Sequence, residues 1–330
     1  MLNSIGLVAI GRNEGERLRQ CLSSIIGKVE NAVYVDSGST DNSVEIAKSL
    51  GVDIVELDLS IPFTAARARN TGFQFLLQNN PQLKYVQFVD GDCEIIEGWL
   101  EKAEQKLEEN SDLAVVCGRR RERYPNASIY NRLCDLEWNT PIGETKACGG
   151  DTMMRVEAFQ QVSGFNPKLI AGEEPELCVR LRQKGWKIYR LDAEMALHDA
   201  QMTRFSQWWK RHLRAGYAYA QGAYLHGKPP ENHWVRETRS IWLWGLIIPL
   251  FSLSLIPFTQ NWSLLLLLAY PMLVFRTYWN MQPLDDINAN DRGYYALSCV
   301  IGKFPQLQGQ LKFYTLYLLG KKETLLIEYK

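Results

Sequence analysis

From Leu7 to Cys117 the chain alternates short β-rich runs with longer helical patterns, and nothing else in it constrains the fold as strongly. Strands are expected at Leu7–Ile10, Ala32–Val35, Asp53–Glu56, Tyr85–Val89 and Ala114–Cys117. Helices are expected at Glu14–Ile26, Ser43–Leu50, Thr64–Gln78 and Gly98–Glu109. In the first helix Leu18, Leu22 and Ile25 recur at helical spacing and share one face. Strands that alternate with helices build a mostly parallel α/β sheet with both faces covered. Such sheets collect ligands at the carboxyl ends of their strands. Asp36 and the pair Asp90 and Asp92 stand at those ends.

Residues 118–200 are less regular. They contain Gly149-Gly150-Asp151, an expected helix at Pro175–Lys184 and an expected strand at Lys187–Leu191. Residues 203–226 read as a long amphipathic helix rich in Trp208, Trp209, Tyr217, Tyr219 and Tyr224. Rings and cations such as Trp208-Trp209-Lys210-Arg211 suit a headgroup zone; packing on the catalytic core is the plainer reading.

From Ile241 to Phe275 no residue is charged, although Pro249, Pro257 and Thr259-Gln260-Asn261 interrupt the run. As a helix, Ile241–Phe258 would be about 27 Å long, close to the roughly 30 Å of a bilayer core. The shorter second half, Trp262–Phe275, crosses only if it continues through Trp279 with Arg276 snorkelling. Three readings stand for 241–279: an apolar membrane hairpin, a re-entrant or interfacial element, or a buried helix pair. A hairpin would return the 280–330 tail, with Lys303, Lys312, Lys321 and Lys322, to the side of the basic 204–239 segment. Basic flanks favour the cytoplasmic face of the plasma membrane.

The length suits one large domain plus an appendage, or two domains. With 37 basic and 37 acidic residues there is no whole-chain field, so nucleic acid is not an expected partner. The seven cysteines form no C-x-x-C and are odd in number, which argues against a disulfide framework and for a reducing compartment. The N-terminus enters a strand-like run with no basic n-region, so no signal peptide is expected.

Phe88-Val89-Asp90-Gly91-Asp92 closes an apolar run with two carboxylates one residue apart. Such a pair can hold a divalent cation against a diphosphate; alone, it is also a common solvated turn. Here it follows Val8-Ala9-Ile10-Gly11-Arg12-Asn13-Glu14, Val33-Tyr34-Val35-Asp36-Ser37-Gly38-Ser39 and Ala65-Ala66-Arg67-Ala68-Arg69-Asn70-Thr71-Gly72, and precedes Gly172-Glu173-Glu174-Pro175-Glu176-Leu177. In that order the segments resemble family 2 glycosyltransferases of the GT-A fold, over roughly residues 5–200.

The resemblance implies a catalytic domain at 1–200, with a donor half at 1–117 and an acceptor half at 118–200. A nucleotide-diphosphate sugar would be held by Ile10, Arg12, Asn13, Glu14, Asp36, Ser37, Arg69, Asn70, Asp90 and Gly91. Asp36 would face the base; an Asx turn is its plain alternative. Relatives often have Pro in the first segment and a second acid after the first in the next, where this chain has Gly11-Arg12 and Ser37. Arg67 and Arg69 do not share a helical face, and Arg69 is favoured as the ligand contact. Asp92, Asp90 and His198 would hold Mn²⁺ or Mg²⁺. Gly149, Gly150, Asp151 and Glu173 would line the acceptor side. Glu174 matches the general base, one methylene longer than the usual Asp. Glu173 and Glu176 are the other candidates, and acids in a helix's first turn are also helped by the macrodipole. The Arg119-Arg120-Arg121 run and Arg123 suit an acceptor phosphate or a solvated loop.

The implied activity is metal-dependent, inverting transfer of a sugar to a hydroxyl of a lipid-linked or envelope-polysaccharide acceptor, with membrane lipids as partners. A polyprenyl-phosphate sugar synthase and a non-catalytic, membrane-tethered nucleotide- or glycan-binding protein are the alternatives. Neither G-x-G-x-x-G nor G-x-x-x-x-G-K-[ST] is present, which argues against dinucleotide and P-loop chemistry.

Overall fold

In the computed structural model, residues 2–281 and 287–320 are described. The basic tail residues Lys321 and Lys322 lie outside them. The chain divides into two units: residues up to 124 with 137–200, and residues 125–136 with 201 onward.

The first unit is built on one sheet. Its strands are β1 (Leu2–Gly11), β2 (Val29–Asp36), β3 (Asp53–Glu56), β4 (Tyr85–Asp90), β5 (Cys93–Ile95), β6 (Leu113–Glu122), β7 (Gly143–Thr145), β8 (Thr152–Arg155) and β9 (Lys187–His198). Their order is β3-β2-β1-β4-β8-β6-β9-β5, with β7 beside β9. The first four run parallel, as the alternation predicts. Beyond β4 the sheet is mixed: β8 is antiparallel to β4 and β6, whereas β6 and β9 are parallel. The three-residue strands β5 and β7 are too short for a hydrophobic period to show, and the four-residue β8 lies outside the strand–helix alternation that marks the equally short β3, so all three escape a sequence reading. β6 and β9 also run past their expected ends at Cys117 and Leu191, through arginine-bearing stretches that look polar until paired.

Helix α1 (Glu16–Ser23) and α2 (Ser43–Ser49) follow the first two strands, and α3 (Ala65–Asn79) packs on β1 and β2. Thr64 caps α3, its hydroxyl accepting from the Arg67 N–H at 3.1 Å. Helix α4 (Trp99–Glu109) packs on β6, β8 and β9. The indole of the fully buried Trp99 donates to Gln87 Oε1 at 2.9 Å, satisfying a polar group in mid-core. Phe73, Phe88, Phe159 and Phe165 form a ring cluster with centroids 4.5–5.4 Å apart. Each such pair contributes about 0.5–1.5 kcal/mol beyond its buried area. The cluster is also the floor of the site, since the Arg69 guanidinium lies 5.6 Å from the Phe165 ring.

Helix α5 (Ile129–Glu137) belongs largely to the second unit; α6 (Val156–Gln161) and α7 (Glu173–Gln183) belong to the first. In the second unit, Arg132 of α5 pairs with Asp291 at 2.6 Å. Helix α8 (Phe205–His226) confirms the expected amphipathic segment but corrects its surroundings. It packs along the helix Lys303–Leu318, and Trp208 is buried, donating to Ser298 Oγ at 3.1 Å. Its small residues permit this approach, Gly216 lying against the Gln306 backbone.

Over 241–279 the interruptions read from Pro249, Pro257 and Thr259-Gln260-Asn261 divide the apolar run into short pieces. The path runs through helix Val235–Trp242, a π-helical turn Leu243–Ile247, and helices Ile248–Ser254 and Ile256–Thr259. After Gln260 and Asn261, both left-handed, it continues as a 3-10 run Trp262–Leu268 and a helix Ala269–Asn280. Pro249 and Pro257 lack the N–H that an unbroken helix requires, and each opens a new segment. Among the described residues no helix is long and apolar enough to cross a membrane. Across this segment Ser263 Oγ donates to the Ser252 carbonyl at 2.8 Å, and the Trp244 and Tyr270 rings lie 5.6 Å apart.

Candidate active site

Strand register assembles the carboxyl edge of the parallel strands. Ile10 pairs with Val35 on one side and Asp90 on the other, and Gly11 pairs with Asp36. The ends of β1, β2 and β4 therefore lie side by side. Asp36 is buried, and its carboxylate is engaged by its own turn. Oδ1 accepts from Tyr34 Oη at 2.9 Å and from the Ser39 hydroxyl; Oδ2 accepts the Gly38 and Ser39 N–H groups at 2.9 and 2.8 Å. Those bonds take up the acceptor capacity of a carboxylate, so the Asx-turn reading describes its contacts. Burial, then the Asp36 charge, pushes the Tyr34 phenol pKa well up and keeps it a donor. Asn13 ties the first loop to this turn, its N–H donating to Ser39 Oγ at 2.9 Å and its Oδ1 accepting the Thr40 N–H at 2.7 Å. Arg12 is exposed on the same loop, and Glu14 pairs with Arg17 at 2.7 Å. Ser37 Oγ is buried without a hydrogen-bond partner, a polar atom available at this edge.

Arg69 organises the centre. Its guanidinium, 2 % exposed, donates to Asp90 Oδ1 at 2.8 Å and Glu173 Oε1 at 3.0 Å, and lies 3.0 Å from Glu174 Oε1. Burial opposes its charge, but Asp90, Glu174 and Glu173 more than offset that and raise its pKa. Arg67 points away and donates to the carbonyls of Ile61 and Asp58 at 2.8 and 2.7 Å. The choice of Arg69 over Arg67 agrees with that arrangement. Asn70 does not join the cluster: its amide donates to the Phe165 carbonyl at 2.7 Å and accepts the Phe165 N–H at 2.9 Å.

Helix α7 begins at Glu173 after left-handed Gly172, which places Glu173, Glu174 and Glu176 in its first turn. They separate by role. Glu173 is buried against Arg69 and does not open toward an acceptor. Glu176 is buried and chelated by Arg180, with contacts of 2.8–3.1 Å. Glu174 keeps some exposure, and burial followed by the neighbouring Glu173 charge pushes its pKa up to about 7. A carboxyl group poised near neutrality suits general acid–base work.

The Gly149-Gly150 loop reaches this cluster. A Cβ at Gly150 would lie 2.4 Å from Arg69 Nη2, 3.0 Å from Glu174 Oε1 and 3.2 Å from Asp90 Oδ2. No side chain fits there without displacing those groups. Asp151 is corrected from an acceptor contact to a fully buried support: β8 starts next to it, opposite β4, so Oδ1 accepts the Asp90 N–H at 2.9 Å.

Asp92 and His198 face each other, with Oδ2 and Nε2 3.4 Å apart. Cys93 also offers an atom within 4.8 Å of theirs; burial, then the Asp151 charge, pushes its thiol pKa up. An imidazole and a carboxylate fit Mn²⁺ or Mg²⁺ with phosphate oxygens completing the shell. Asp90, expected beside Asp92 on the cation, gives Oδ1 to Arg69, and a carboxylate oxygen of Asp90 also lies within 4.8 Å of ligand atoms of Cys93 and Asp151. Gly91 is buried, its N–H donating to the Ile10 carbonyl at 2.7 Å.

Two residues of the arginine-bearing run matter more than its charge suggested. Arg120 turns inward, with Nε 3.4 Å from Asp151 and the guanidinium 4.8 Å from the Trp138 ring, and that ring in turn meets His198 edge-on at 4.8 Å. Glu122 lies behind His198. Arg121 points to Glu194 on the outside. Extending β6 to Glu122 would have revealed this alternation.

Residues 8–162 match the family model for glycosyl transferase family 2, and residues 134–205 match one for an N-terminal domain of galactosyltransferase. Glycosyltransferase AglE of Haloferax volcanii is 24% identical over 217 residues, which cover 62% of this chain and 69% of that one. The uncharacterized glycosyltransferase YibD of Escherichia coli is 34% identical over 98 residues, 28% of this chain and 27% of that one. Among solved structures, mannosyltransferase PcManGT from Pyrobaculum calidifontis, in complex with GDP-Man and Mn²⁺, superposes with a TM-score of 0.59 at 15% identity over 94% of this chain and 87% of that one. S. aureus TarS 1–349 gives 0.52 at 14% identity over 92% of each chain. At such identities the structural likeness is one of fold, the mixed sheet with flanking helices seen in GT-A glycosyltransferases. Family model, curated relatives and fold agree: residues 8–162 form a family 2 glycosyltransferase domain, and the protein is a glycosyltransferase.

Proposed function

We propose that this glycosyltransferase moves one hexose-like sugar from a nucleoside-diphosphate donor to an acceptor hydroxyl, with inversion. The observation that carries the reading is the single cluster in which Arg69 joins Asp90, at the D-x-D end, to Glu174. Glu174 takes the acceptor proton as the hydroxyl attacks the anomeric carbon. Arg69 and Arg120 supply positive charge at the diphosphate end. Asp92 and His198 would hold the cation, which neutralises charge building on the departing diphosphate when bound. Mn²⁺ is favoured by the imidazole and by its presence with GDP-Man in the PcManGT structure. Nucleoside diphosphate release from a panel of nucleotide-sugars, with and without Mn²⁺, tests the assignment. No donor turned over, with or without metal, would remove it.

The acceptor is lipid-linked or a cell-envelope glycan, met at the cytoplasmic face of the plasma membrane. This part of the reading is supported by the apolar side chains exposed around the second unit's turn, Phe258 at 82% and Trp262 at 71%, with Met272 at 71% beyond them. Large apolar side chains gathered in one exposed segment mark an interaction surface, and segments of this kind lie in an interface as well as across it. Phe258→Glu with Trp262→Glu is expected to abolish co-flotation with anionic liposomes. Equal flotation of both proteins would rule out this patch as the anchor.

A further inference from the structure

We propose that Glu122 is a positioning residue for the cation site: it holds His198 as the Nδ1–H tautomer with Nε2 facing Asp92. The inference rests on the reading above, in which Asp92 and His198 hold the cation. β9 carries His198 between two strands, paired with Glu122 of β6 on one side and Cys93 of β5 on the other. The imidazole therefore has the D-x-D turn at one nitrogen and Glu122 at the other. Nε2 is 3.4 Å from Asp92 Oδ2, and Nδ1 is 3.6 Å from Glu122 Oε2. Nδ1 is buried and makes no hydrogen bond at this distance, so a small ring movement toward Glu122 would satisfy it.

Glu122 is well placed for such a task. Its side chain is fully buried, and its carboxylate is fixed by the backbone: Oε1 accepts the Tyr124 N–H at 3.2 Å and Oε2 the Ala200 N–H at 3.1 Å. Those bonds also bracket His198, because the Arg123 N–H donates to the His198 carbonyl at 2.8 Å. The Trp138 ring closes a further side of the imidazole. An acceptor at Nδ1 leaves the Nε2 lone pair for a cation, and such outer partners commonly change metal affinity by about 10- to 100-fold.

The test is Mn²⁺ binding by the full chain in the presence of UDP or GDP, followed by the electron spin resonance of free Mn²⁺. Glu122→Gln is expected to weaken binding by about 10- to 100-fold, with unchanged circular dichroism and with partial recovery in Glu122→Asp. A folded Glu122→Gln protein that binds Mn²⁺ as the wild type does overturns the proposal and leaves the donor-site reading intact. A wild-type chain that binds no Mn²⁺ overturns both. Should Glu122→Gln fail to fold, the ring ¹⁵N spectrum of the metal-free wild type at pH 8 decides, with His198→Gln identifying the signal. An Nδ1–H imidazole is expected, and an Nε2–H imidazole refutes the assignment.

Discussion

Glu174→Gln should make the protein inactive and, above neutral pH, more stable. Burial and the adjacent Glu173 raise the Glu174 pKa from 4.5 to about 7. At about 1.4 kcal/mol for each pH unit, the ionised side chain costs the folded state about 3 kcal/mol. Below about pH 4.5 the group is protonated in both folded and unfolded chains, and Glu and Gln are equivalent. As pH rises toward 7 the unfolded chain ionises first, so the wild type loses this stability progressively while the variant does not. The gain for Glu174→Gln should therefore be near zero at pH 4.5 and reach about 3 kcal/mol at pH 8. Urea denaturation of both proteins at those two pH values measures it. Nucleoside diphosphate release should fall about 10²- to 10⁴-fold. Wild-type turnover should itself drop about tenfold from pH 8 to pH 6, as the base is protonated. A stability difference independent of pH would refute the electrostatic argument. Retained turnover would refute the assignment of Glu174 as base.

Gly150→Ala places a methyl 2.4 Å from Arg69 Nη2. Turnover should fall by at least about 10²-fold through misplacement of the reacting groups, and unchanged kcat would show that the loop yields freely. Asp36→Ala removes an acceptor of four hydrogen bonds from a buried turn. It should destabilise the chain by about 3 kcal/mol or more, read by urea midpoint; a change under about 0.5 kcal/mol would contradict the turn described here. Arg67→Ala should leave turnover within about twofold while Arg69→Lys lowers it at least about tenfold, because a lysine lacks the fork that joins Asp90 to Glu173. Equal losses would show that the helix as a whole, and not the Arg69 cluster, sets the rate.

The parallel β1–β4 core and α3 were legible because short β-rich runs alternate there with helical patterns in regular order. Asp36, Asp90 and Asp92 at strand ends followed from the same alternation; helix geometry separated Arg67 from Arg69, and the family resemblance favoured Arg69. Asp151, Glu173 and Asn70 were read from their neighbours in sequence. Their partners, Asp90, Arg69 and Phe165, lie 61, 104 and 95 residues away. Local order can mark an acidic or amide side chain as notable, yet it does not say whether that side chain meets solvent, substrate or a buried N–H.

The amino-acid sequence by itself determined the parallel β1–β4 half and its ligand edge, since strand and helix periods are local and the ends of parallel strands are where such sheets hold ligands. Only tertiary structure decided the roles within the acidic cluster. It turned Asp90 to Arg69 and left Asp92 to His198, buried Glu173 while keeping Glu174 poised, and set Glu122 behind the imidazole. Those outcomes depend on burial and on charges brought together from β4, β6, β9, α3 and α7, and electrostatic energies in a dry cluster are set by distances that span the whole fold.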